Sequence, residues 1–63
     1  MSNEQENTEA MKYIRSLKNA VKRRYAVTYN DWILAGRIGG IPSRGTLSPT
    51  IAKSVCTNLD SLS

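Results

Sequence analysis

Cys56 is the one cysteine in this chain and histidine is absent, so nothing in the sequence can staple the fold internally. A disulfide within the chain needs a second cysteine. A structural zinc site needs about four Cys or His ligands. At 63 residues this is a severe constraint. A chain of about 60 residues buries only ~60% of its unfolded surface, and such chains often lean on a second copy or a partner. Stability must come from apolar side chains organised by regular local structure in one domain. The same inventory argues against catalysis. A lone cysteine without histidine lacks an activating base. Asp31 and Asp60 lie far apart in sequence, each with a capping or surface explanation. The expectation is no enzyme, no metal and no cofactor. Cys56 itself reads as a small buried apolar residue, with a surface thiol or a cross-link between two copies as alternatives.

Apolar spacing supplies the local structure. Residues 1–7, "MSNEQEN", hold nothing to bury and read as a disordered tail. The remainder, 8–63, reads as a single helical domain. A first helix is predicted from Thr8 to Arg24, capped by Thr8. Ala10, Met11, Ile14, Leu17, Val21 and Tyr25 recur every three or four residues along one face. The β-branched "AVT" interrupts it. A short second helix follows from Thr28 to about Ala35, with Thr28 and Asp31 forming a capping box and Gly36 terminating it. Ser48 followed by Pro49 opens a third helix reaching about Ser61. Its buried stripe is Ile51, Val55, Leu59 and Leu62, flanked by Ala52 and Cys56. The fold class is therefore all-α: a small three-helix bundle with a Gly-rich loop before the last helix. Trp32 is expected to contribute most to the core.

That loop, "GRIGGIPSRGTL" from Gly36 to Leu47, holds all four glycines, two arginines and no acid. It is not a P-loop, because Thr46 stands where the lysine after the second glycine should be. "GRIG" matches the G-x-x-G clamp of KH domains, but the chain has no strand pattern to support one. The loop exceeds the tight turn of a simple helix-turn-helix. Ile38 and Ile41 are expected either to form a minimal hairpin or to pin the loop to the core. "WILAGRI" followed by "GGIPSRG" resembles the helix end and wing of winged-helix excisionase and MerR-like domains, over Trp32 to Gly45. The match departs upstream, where "VTYND" is about a turn short of the usual helix-turn-helix. The resemblance implies DNA binding through a winged-helix-like arrangement.

Charge points the same way. The net charge is +4 and the pI about 9.7. Lys12, Arg15, Lys18, Lys22, Arg23 and Arg24 run without an intervening acid. A basic stretch at a helix C-terminus also complements the macrodipole, by about 0.3–1 kcal/mol per cation, so solubility and helix stability are the plain alternatives. The leading expectation is a small, phage- or plasmid-like DNA-binding regulator of transcription or recombination, acting as a homodimer. Phosphates would be met by Lys12, Arg15, Lys22, Arg23, Arg24, Arg37 and Arg44. Bases would be met by the uncharged face of the third helix, Thr50, Lys53, Ser54 and Thr57, or alternatively by Tyr29 and Asn30. The alternative expectation is an inhibitor or adaptor docking on a larger host protein. A third is an RNA- or ribosome-associated protein. No secretory signal or run of ~20 apolar residues is present, so the chain is expected to be cytoplasmic and not membrane-bound.

Overall fold

A computed structural model describes residues 8–62 and contains three helices in chain order: α1 (Thr8–Ser16), α2 (Ala20–Leu34) and α3 (Pro49–Leu62). The tail expected over 1–7 lies outside the described residues. The all-α bundle expected from the sequence is what the chain forms. Among the described residues there is no strand, so the loop builds no hairpin wing. No helix of the described residues is long and apolar enough to cross a membrane.

The helix boundaries differ from the expectation in one respect that matters. The first interruption falls at residues 17–19, not at Ala26–Val27–Thr28. α1 tightens as it ends: the Leu17 amide donates to the Ile14 carbonyl at 3.1 Å, an i→i−3 bond that satisfies a terminal acceptor. The Ser16 hydroxyl donates to the Tyr13 carbonyl at 2.6 Å. Asn19 then leaves helical geometry (φ −80, ψ 123) and becomes the N-cap of α2. Its Oδ1 accepts from the amides of Val21 at 2.8 Å and Lys22 at 3.1 Å. Asparagine is among the best N-caps, worth typically about 1 kcal/mol over alanine. By contrast Val27 and Thr28 each lower helix propensity by only a few tenths of a kcal/mol. The burial of Tyr25, Ala26 and Tyr29 on either side outweighs that, and α2 runs straight through.

α2 closes with a Schellman motif. The Gly36 amide donates to the Ile33 carbonyl at 3.0 Å and the Arg37 amide to the Trp32 carbonyl at 3.0 Å. Gly36 sits at φ +94, where a side chain would be strained. α3 begins as its sequence requires. The Ser48 hydroxyl accepts from the Ile51 amide at 3.3 Å, and Pro49 occupies the first helical position, where no amide is needed.

The core is made of Ala10 and Ile14 from α1, Tyr25, Ala26 and Tyr29 from α2, and Ala52, Val55 and Leu59 from α3. Ala26 and Ala52 are completely buried, and the α2–α3 contact is the most extensive of the three helix pairs. Small side chains there let the two backbones approach. Tyr13 and Asn58 tie α1 to α3, the Asn58 amide donating to the Tyr13 hydroxyl at 3.3 Å. Trp32 is not the principal core residue. It is half-buried and packs at the margin. Tyr25 and Tyr29 carry the aromatic share of the core, with ring centroids 6.1 Å apart, and Trp32 continues the row 5.3 Å from Tyr29. Position explains this. Trp32 lies at the last turn of α2, where the bundle ends.

The location of the break is testable by substitution. Asn19→Ala should lower unfolding free energy by about 1 kcal/mol in urea titrations. Thr28→Ala, in mid-helix and exposed, should change it by less than about 0.5 kcal/mol. The opposite ranking would restore the break at 26–28.

Candidate nucleic-acid interface

The loop between α2 and α3 is anchored at its far end by Leu47, which packs on the core. Just before it the chain turns tightly. The Gly45 amide donates to the Ser43 hydroxyl at 3.3 Å, the Leu47 amide donates to the Arg44 carbonyl at 3.1 Å, and Gly45 lies at φ +59. This turn sets Arg44 between the two long helices. On one side Arg44 borders a groove of about 290 Å³ against α2, shared with Arg24, Tyr25, Thr28 and Ser43. On the other it borders a groove of about 470 Å³ against α3, shared with Ile41, Thr50, Lys53 and Thr57. A third, shallow depression of about 580 Å³ follows α2 past Ala20, Arg23, Arg24, Val27 and Thr28. Arg24 and Thr28 belong to two of these grooves and Arg44 to two. The three therefore join into one band across the molecule, carrying Arg23, Arg24, Arg44 and Lys53. None of these four makes an ion pair with a described residue, while hydroxyls of Thr28, Ser43, Thr50 and Thr57 lie between them.

Arg37, the other loop arginine, has a different environment. Its guanidinium donates to Asp60 Oδ1 at 3.0 Å and lies 5.4 Å from the Trp32 ring centroid. In a Schellman motif the residue after the glycine usually makes an apolar contact back onto the last turn. Here that contact is a cation over an indole face. Arg37 takes a positive φ of 60, unusual for a non-glycine residue, and the pairing with Asp60 and Trp32 holds it there. Asp60 also receives the Tyr29 hydroxyl, at 3.3 Å to each carboxylate oxygen. Burial pushes the Tyr29 hydroxyl above the ordinary tyrosine value, and the negative charge of Asp60 adds to it.

Of the residues singled out from sequence, the band brings together Arg23, Arg24, Arg44, Thr50, Lys53 and Thr57. It leaves others apart. Lys12 and Arg15 belong to α1, on the far side of the break, so the single basic face expected of one long helix does not exist. Lys22 is half-buried. Ser54 is exposed but borders none of the three grooves. Tyr29 and Asn30, the alternative base-reading pair, are buried at 3% and 5% exposure and cannot reach a duplex. Sequence reasoning missed Thr28, Ile41 and Ser43. Thr28 could have been found by reading α2 as continuous, which puts it on the exposed face. Nothing local marks the other two. Cys56 is half-buried and shares a hydrogen bond with the Tyr25 hydroxyl at 3.4 Å.

Set against known proteins, the chain matches no family model, no curated protein and no solved structure. The winged-helix-like resemblance of Trp32 to Gly45 gains no support from these comparisons.

Tyr25 couples the band to the core. Burial, then the hydrogen bond with Cys56, pushes its hydroxyl from 10.0 up to about 12, against a smaller opposing pull from the Arg44 charge. A raised value means the folded chain holds its proton more firmly than the unfolded chain. The associated stability is intact below pH 10.0 and is lost as pH climbs through about 12. Tyr25→Phe should shed part of this alkaline loss, seen as a flatter dependence of unfolding free energy on pH. An identical decline in both proteins would refute the assignment.

Proposed function

We propose that this chain is a nucleic-acid-binding module, with duplex DNA as the favoured target, serving a regulatory rather than a catalytic role. The observation that carries the reading is the joined band of Arg23, Arg24, Arg44 and Lys53. Four cations share one surface without a neutralising described carboxylate, whereas Asp60, the acid at the band's edge, is engaged by Arg37 and Tyr29. Arginine and lysine on a concave, hydroxyl-lined surface suit phosphate oxygens spaced along a backbone. Thr50 and Thr57, one face of α3, flank Lys53 and offer short hydrogen-bonding groups for base edges or sugar. The contacts from Lys12, Arg15 and Arg37 are not part of this reading.

Fluorescence anisotropy with a labelled duplex across a salt series tests it. Neutralising three or four phosphates gives a slope of log affinity against log salt of roughly −2.7 to −3.6. Arg44→Ala should reduce the steepness by about 0.9 and weaken binding at low salt. Arg15→Ala, on α1, should leave the slope near its original value. Absence of binding at low salt, or equal damage from both substitutions, would overturn the reading. Competition with structured RNA separates the two nucleic acids. A second reading, docking on a host protein, draws on the exposure of Ile38 at 78% and Ile41 at 61%. Ile38→Ser would abolish capture of such a partner while leaving the salt slope for DNA unchanged.

A further inference from the structure

The outward face of α2 carries an unpartnered pattern. At 3.6 residues per turn, Ala20, Arg24, Val27, Asp31 and Leu34 form a stripe opposite the buried Tyr25, Ala26 and Tyr29. All five are exposed. Val27 and Leu34, at 41% and 53%, are large aliphatic side chains left in water in the middle helix of a chain with little apolar surface to spare. Asp31 makes no side-chain ion pair with any described residue.

The order along the stripe is small apolar, cation, aliphatic, anion, large aliphatic. We infer that this stripe is the contact surface of an antiparallel homodimer, in which α2 of one copy packs along α2 of the other. Reversing the second helix about Val27 puts Asp31 of that copy beside Arg24, and Arg24 of that copy beside Asp31. The two ion pairs flank a central Val27–Val27 contact. The same reversal sets Leu34 of each copy against Ala20 of the other. Large meets small, and the shallow depression beside Ala20, Arg23 and Val27 receives the leucine. A two-fold axis makes the surface self-complementary, as an isologous interface requires. The parallel alternative would stack Arg24 on Arg24 and Asp31 on Asp31, a like-charge arrangement that is penalised.

The dimer shares one end of the band with the nucleic-acid reading, because it covers the depression beside Ala20, Arg23 and Val27 and pairs Arg24. Arg24 lies on the border of both surfaces, and in the dimer Arg44 and Lys53 keep their charge for a polyanion. Asp31 lies outside the cationic band, so substitutions there separate the two ideas.

Sedimentation equilibrium of the full chain, from micromolar to millimolar, reads the result directly. The wild-type chain should pass from monomer to dimer within that range. Asp31→Arg should raise the dissociation constant at least about tenfold through repulsion with Arg24, and Val27→Asp should do the same. The double exchange R24D/D31R should recover most of the lost association, because the pairing is reciprocal. Far-ultraviolet circular dichroism should show unchanged helix content in each variant. A wild-type chain that stays monomeric to millimolar concentration overturns the inference. So does a dimer indifferent to Asp31→Arg, or a folded double exchange that fails to re-associate.

Discussion

The break between α1 and α2 is the constraint on which the architecture depends. Asn19 caps its far side, and the packing of Ala10 and Ile14 onto α3 requires it, although the apolar period running from Ala10 to Tyr25 would by itself suit one continuous rod. A rod and α3 alone give two layers. Ala10 and Ile14 could not then fold back into the cluster that holds Val55 and Leu59. By ending α1 and restarting the helix with a new axis, the break creates the third layer. It also divides the basic stretch, sending Lys12 and Arg15 one way and Arg23 and Arg24 another. The geometry of the cationic band thus follows from the break together with the path of the loop that carries Arg44.

The two loop arginines show how position, not residue type, assigns a role. Arg37 follows the terminating glycine of α2 directly. There it meets the end of α3, and Asp60, Tyr29 and Trp32 absorb it into the scaffold. The contact fastens the exit of α2 to the last turns of α3, across 23 residues of chain. Arg44 comes later in the loop, on a serine-supported turn, and makes no ion pair with a described acid, although Asp60 lines the same groove. One guanidinium is held at the surface by Asp60 and the Trp32 ring, and the other makes no ion pair with a described residue.

Much of this could be read from the sequence. Gly36 as a stop and Ser48–Pro49 as a start are local signals, and both hold. The apolar stripe of α3 holds as well, because its spacing is regular and uninterrupted. The break at Asn19 was hidden because Leu17 and Val21 keep the helical period in phase across it, with no glycine or proline to mark the spot. β-Branched residues at Val27 and Thr28 gave a louder signal of lower energetic weight. Trp32 misled through its size. At the last turn of α2, Trp32 is covered over only part of its surface. The cations of the band were visible individually, but their convergence depends on the path of the loop, which no periodicity encodes. The Arg37–Asp60 pair is invisible for the same reason.

The loop owes its shape to torsion angles more than to burial. Ile38 and Ile41 stay outside the bundle, and a Cβ placed at Gly40 meets nothing within 4 Å. Ile38 and Gly40 can therefore be exchanged with little reference to the helices beneath, whereas Gly39, at φ +83, and half-buried Pro42 are constrained. Selection on what this segment touches can proceed without renegotiating the interior. In a chain with so thin a margin of stability, such decoupling is the condition for acquiring new specificity at all.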